Sequence, residues 1–373
     1  MLGELKVLVS GCVPRRRISH TSSSIHCEAE HNFVRTVKVT WQATEKRNSM
    51  YEDAQENGCL AVEPDRLANV ALEVKRRLTQ LRTIPRMFRN WPQLVLFRLG
   101  LRSYVVAEWR SGGSVDVHSQ RDWTNLMQGP AWGLEILRAY GCLVSVGDNE
   151  IELSFRGKRV RFQTESLEKS FDMLVEQFVQ EQYKWLRVEG KQVLDVGANI
   201  GDSAIYFALN GASHVYALEP YPYTYRLARR NVELNGFEKQ VTVLNIGCGK
   251  EGTITIDPEL KSEPSSNLVQ CEAGQTVPIV SLKRIVERYG LNDAVAKIDC
   301  EGGEYELILG ADDQDFRAFS QMMIEYHRGF ASLANRLERV GFQVTHTRPF
   351  SFQNPVTGMS EAVGFIKAMK PSN

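Results

Sequence analysis

Residues 193–203 read Val-Leu-Asp-Val-Gly-Ala-Asn-Ile-Gly-Asp-Ser, a short apolar run that enters a glycine turn and then the start of a helix. A second apolar run, His214 to Leu218, ends on Glu219-Pro220. In a strand–turn–helix unit of this kind the glycines let the backbone approach a ligand. An acid about 20 residues further on accepts hydrogen bonds from ribose hydroxyls. The spacing therefore predicts a nucleoside cofactor, with Gly197, Ala198, Asn199 and Gly201 forming the loop and Glu219 holding the ribose.

Which nucleoside depends on the glycine spacing. A dinucleotide needs G-x-G-x-x-G so that its pyrophosphate can sit on the amides of a helix N-terminus. Here the spacing is G-x-x-x-G, and Asp202 stands at the helix start. A carboxylate there repels a pyrophosphate and suits the sulfonium and amino group of S-adenosyl-L-methionine, which becomes the expected cofactor. Asp202-Ser203 could equally cap the helix. Asp195, just before the turn, can reach the methionine amino group or anchor the loop, and cofactor contact is the expected role. Asn245-Ile246-Gly247 ends the third strand, where a side chain or amide could meet the adenine.

The fourth strand ends on Lys297-Ile-Asp-Cys-Glu-Gly-Gly-Glu304, and the fifth on Glu325-Tyr326-His327. Ligands of open α/β sheets bind at the carboxyl ends of the strands, beside the switch in strand order. Asp299 is expected to touch cofactor or acceptor. His327 is expected to act as general base, since an imidazole near neutrality suits deprotonation of a hydroxyl; Glu325 stands beside it. Acids at a helix N-terminus also favour the dipole, which accounts for Glu301 and Glu304 better than for Asp299. Asp299, Glu301, Glu325 and His327 could instead form an oxygen-rich metal site, although no metal is expected. An amine methyltransferase would need an Asn/Asp-Pro-Pro-aromatic segment here to grip a planar amine, and the chain has none.

These residues sit in a chain of 373 residues, long enough for two domains. Forty-five basic and 45 acidic residues cancel, whereas a protein that coats nucleic acid usually carries a basic excess. The seven cysteines include no C-x-x-C pair, hence neither a disulfide framework nor a zinc signature. No apolar run reaches the roughly 18 residues of a membrane helix, and a signal-peptide core is missing at the N-terminus. A cytoplasmic protein is expected.

From residue 190 onward, strands expected at 192–196, 214–219, 241–246, 294–299 and 321–326 alternate with helices near 202–210, 223–235, 281–289, 303–310 and 330–340. This alternation predicts an α/β fold, a doubly wound, mostly parallel sheet with helices on both faces. Apolar stretches at 342–346 and 362–368 should pair as an antiparallel hairpin, and Thr253–Ile256 should pair with Val277–Val280 around a polar loop. Upstream, 166–373 is expected to be preceded by an α+β accessory region, 50–165. That region holds a helical pattern over 64–101, a hairpin around Arg110–Gly113, a helix near 120–139 and three strands between 142 and 163, and a helix expected over 166–184 opens the next domain. Residues 1–49, with Pro14-Arg15-Arg16-Arg17 and a serine-rich stretch, read as a disordered extension, and Met50 opens more ordinary sequence.

The combination of Asp195-Val-Gly-Ala-Asn-Ile-Gly-Asp, Glu219-Pro220, Asn231 to Asn235, Lys297-Ile-Asp-Cys-Glu-Gly-Gly-Glu and Glu325-Tyr-His resembles the FkbM family of S-adenosylmethionine-dependent methyltransferases over roughly residues 166–368. Cys300 stands where an aliphatic residue is usual and Gly303 where alanine is common. The resemblance implies a seven-stranded sheet with a reversed last strand, and O-methylation of a saccharide, glycolipid or secondary-metabolite hydroxyl; the balanced charge and the missing amine-gripping segment argue against a nucleic-acid partner. An RNA methyltransferase is the competing enzyme reading, prompted by Arg229-Arg230 and the basic arm. A cofactor-binding module without catalysis is the non-enzymatic one.

Overall fold

A computed structural model of the chain describes residues 6–9, 37–40, 83–128, 130–164, 166–259, 273–353 and 360–371. The basic arm, Met50, most of the helical pattern before residue 83 and the centre of the polar loop after 259 lie outside the described residues. Within the expected extension, β1 (Lys6–Val9) pairs antiparallel with β2 (Val37–Thr40).

The chain divides into two compact units, 1–141 and 142–373. In the first, a helical turn over 83–87 is followed by α1 (Trp91–Arg98) and the expected hairpin, β3 (Val105–Glu108) with β4 (Ser114–Val117). The single helix expected over 120–139 is two, α2 (Gln120–Gln128) and α3 (Pro130–Ala139). Proline cannot donate into a preceding turn but starts a new helix readily. Phe88 stacks on Trp109 with ring centroids 4.2 Å apart, and both are buried.

The second unit begins with a three-stranded meander: β5 (Leu143–Val146), β6 (Glu150–Phe155) and β7 (Lys158–Gln163). Helix α4 (Leu167–Phe178) ends short of the expected 184, and Glu181 takes a left-handed conformation soon after it. Then come β8 (Gln192–Val196), α5 (Asp202–Leu209), β9 (His214–Leu218), α6 (Pro222–Leu234) and β10 (Val241–Leu244). Helix α6 and the residue after it grip β7. Asn231 Oδ1 accepts from Gln163 N at 2.7 Å, and Asn235 Oδ1 accepts from Arg161 N at 2.9 Å.

A small sheet follows, β11 (Gly247–Cys248), β12 (Gly252–Ile256) and β13 (Gln275–Val280), the last two forming the expected hairpin. The chain continues through α7 (Leu282–Tyr289), β14 (Ala294–Ile298), α8 (Glu304–Gly310), β15 (Phe319–Tyr326), α9 (Ala331–Arg339), β16 (Gln343–His346), β17 (Phe350–Gln353) and β18 (Ser360–Met369). The main sheet has the order β10-β9-β8-β14-β15-β18-β16. The first five strands run parallel, and β18 is antiparallel to both its neighbours. The expected hairpin of the last apolar stretches is β16 with β18; β17, an unexpected strand, pairs with the outer part of β18. Chain order reverses between β8 and β14, so a crevice opens at their carboxyl ends, where a doubly wound sheet binds its ligand.

Candidate active site

The turn after β8 is shaped by the protein's own backbone. Gly197 has φ +80°, and a Cβ there would sit 1.7 Å from the carbonyl oxygen of Asp299. The glycine lets β8 and β14 close together, a requirement the sequence had assigned to ligand approach. Both Gly197 N and Ala198 N donate to Leu218 O at 3.0 Å, which staples the loop to β9. Gly201, φ +85°, lies against Ala228 of α6. Asp202 opens α5 and is buried, and its carboxylate accepts from its own backbone N–H. Burial is the main influence on this carboxyl and raises it to about 7, against the pull of Lys297.

Asp195 and Lys297 are cross-strand partners in the register of β8 and β14. Ser203 Oγ donates to Asp195 Oδ2 at 2.6 Å, and Lys297 Nζ lies 3.1 Å from Oδ1. Asp195 is wholly buried, its Oδ2 anchoring Ser203 at the start of α5 and its Oδ1 facing Lys297. Lys297 also donates to Gly197 O at 2.5 Å and stands 3.9 Å from Asp299 Oδ2. Burial alone would lower this ammonium, but Asp195, Asp299 and Asp202 hold it above its ordinary value. The sequence reading gave Lys297 no role. The signal was there: one cation in an apolar strand, opposite one acid in another.

Glu219, at the end of β9, accepts from Asn199 N at 2.9 Å and from Tyr221 N at 3.0 Å. Each carboxylate oxygen keeps a further lone pair. Burial pushes the group to about 8, against the opposing effect of the two amide donors. Asn199, left-handed at φ 47°, donates from Nδ2 to Met173 Sδ of α4 at 3.2 Å, so α4 covers the loop. Asn245 does not offer a free amide to an adenine. Its Nδ2 donates to Glu219 O and Pro220 O, and its Oδ1 accepts from Gln275 at 2.8 Å.

Across the crevice, Asp299 keeps 26% of its side chain exposed, and Tyr183 Oη approaches it at 3.4 Å. Glu301 takes φ 51°, a left-handed conformation costly for a residue with a Cβ. Its Oε2 lies 3.1 Å from His327 Nε2, while His327 Nδ1 lies 3.2 Å from Glu304 Oε1. Glu304 is fully buried and also accepts from His327 N and Gly302 N. Burial would lower His327, but Glu301 and Glu304 overcome it and raise the imidazole to about 11. The expected base titrating near neutrality is therefore corrected, because both ring nitrogens are committed to carboxylates. Burial, reinforced by Asp299, pushes the Glu325 carboxyl up.

The doubly wound, mostly parallel sheet is the fold of class I methyltransferases. Residues 195–344 match the family model of the methyltransferase FkbM domain, and the chain carries that domain. It is similar to "Methyltransferase 1" of Beauveria bassiana, at 27% identity over 186 residues, covering 42% of this chain and 74% of the relative. A shorter stretch of 55 residues is 44% identical to the ribosomal protein L11 methyltransferase of Carboxydothermus hydrogenoformans, covering 15% of this chain and 18% of that protein. Among solved structures, the SAM-dependent methyltransferase from Agrobacterium tumefaciens aligns with a TM-score of 0.37 at 14% identity, over 61% of this chain and 72% of that one. No described helix is long and apolar enough to cross a membrane.

The residues fit the cofactor. Asp202 is a buried carboxylate at the start of α5, suited to a cationic group. Glu219 is held in place by amides and retains acceptor capacity for a diol.

Proposed function

We propose that this methyltransferase acts on a hydroxyl of a saccharide, glycolipid or secondary metabolite. S-adenosyl-L-methionine, when bound, supplies an electrophilic methyl group. Glu219 would hold the ribose, Asp202 would face the cationic end, and Gly197 to Gly201 would form the floor. The observation that carries the reading is the register Asp195–Lys297–Met323 across β8, β14 and β15, which brings the cofactor loop and the acids after β14 to one edge. Asp299, Glu301 and Glu325 offer hydrogen-bond acceptors, the partners hydroxyl groups need. No segment suited to gripping a planar amine stands there.

Transfer to oxygen needs in-line positioning first and a proton acceptor second. Asp299, partly exposed and raised by burial, is the group we assign to receive the hydroxyl proton. His327 holds Glu301 in place. The nucleic-acid reading draws no support from α6, where Arg229 and Arg230 lie 3.5 and 3.7 Å from Glu233.

The test is incubation with methyl-labelled cofactor and a panel of hydroxylated glycans and metabolites, alongside RNA, followed by product analysis. Label in an alkali-stable methyl ether supports the reading. Label only in RNA, or only on nitrogen, contradicts it.

A further inference from the structure

We propose that Asp299, Glu301 and His327 form a site for one divalent cation at the carboxyl ends of β14 and β15. One potential ligand atom from each residue lies within 4.8 Å of the others. Ligands about 2.1 Å from a metal stand roughly 3 to 4 Å from each other, so small side-chain rotations bring the three into coordination distance. Asp299 and Glu301 keep 26% and 30% of their side chains exposed, which leaves a way in.

The outer shell is already built. A histidine that binds a metal commonly donates its other ring N–H to a carboxylate, which fixes the ring. Glu304, fully buried, takes the Nδ1 side of His327 together with its backbone N–H. Nε2 is thereby aimed at Glu301, and the side chain of His327 is only 8% exposed. Glu301 and Glu304 bracket the imidazole and Asp299 stands near it, while the ammonium of Lys297 lies 3.1 Å from Asp195 and 3.9 Å from Asp299. A divalent ion would meet this negative charge with one centre shared by the three side chains.

Two carboxylates with one imidazole suit a first-row ion such as Mn²⁺ and leave further positions open. An ion there would polarise an acceptor hydroxyl. That use rests on the proposed methyl transfer; the binding itself does not.

The experiment is titration of the full chain, first stripped with chelator, with Mn²⁺. The loss of the free-ion paramagnetic resonance signal is followed, and S-adenosyl-L-methionine is titrated into the same sample by calorimetry. One Mn²⁺ should bind per chain, and Glu301→Gln and Asp299→Asn should each weaken it at least tenfold, both remaining folded by circular dichroism. No saturable Mn²⁺ binding, or equal binding by both folded variants, would overturn the site. Cofactor binding without Mn²⁺ binding removes the cation site alone. Mn²⁺ binding without cofactor binding leaves the site standing and removes the methyltransferase reading.

Discussion

Lys297 and Asp195 face each other across β14 and β8, Nζ 3.1 Å from Oδ1, with both side chains closed to solvent. The pair joins the first strand of the cofactor loop to the strand that ends in the acceptor-side acids. Breaking a buried pair strands the remaining charge, at a cost of about 3–5 kcal/mol. Lys297→Met should lower stability by that amount in urea denaturation. Adding Asp195→Leu should recover part of the loss, because no lone charge then remains. If the two substitutions instead sum, the residues are not coupled.

Gly197 supplies a second prediction. A Cβ there would collide with Asp299 O at 1.7 Å, in a backbone conformation of φ +80°. Left-handed strain of about 1–2 kcal/mol adds to overpacking of about 1–3 kcal/mol. Gly197→Ala should thus unfold at distinctly lower urea, not merely fail to bind cofactor. Gly201→Ala, with its nearest contact at 3.3 Å, should lose less. A Gly197→Ala protein of wild-type stability would show that the loop has room the structure denies it.

Glu219 and Asp202 set the pH dependence of the ligand-free protein. Burial raises Glu219 from an ordinary 4.5 to about 8 and Asp202 from 3.8 to about 7. A group raised in the folded state contributes its stability in full below the unfolded value and loses it as pH climbs through the folded value. The urea midpoint should therefore fall between about pH 4 and about pH 8, and Glu219→Gln should fall less steeply. A midpoint that rises over that range, with the variant tracking the wild type, would contradict these burial effects.

Strands β8, β9 and β14 were legible because each is a short, largely apolar run that ends on a glycine or an acid. The reversed last strand followed from the family resemblance, and the β16–β18 pairing from two apolar stretches with no helix between them. Pairings across the chain were not legible. Nothing local announces that Asn231 and Asn235 hold β7. Nor does Glu325-Tyr-His reveal that His327 lies between Glu301 and Glu304. A histidine at a strand end reads as a base until its neighbours across the crevice are known. β17 was missed because Phe350–Gln353 is short and lies at a sheet edge.

The central claim is that the loop after β8 and Glu219 hold the cofactor, and calorimetric titration of S-adenosyl-L-methionine into wild type and Glu219→Gln tests it most directly. One site per chain is predicted, with the variant losing about 1.5–3 kcal/mol of binding, the range for hydrogen bonds to a charged group. A folded wild type that gives no saturable heat, or a variant that binds equally well, would contradict the account.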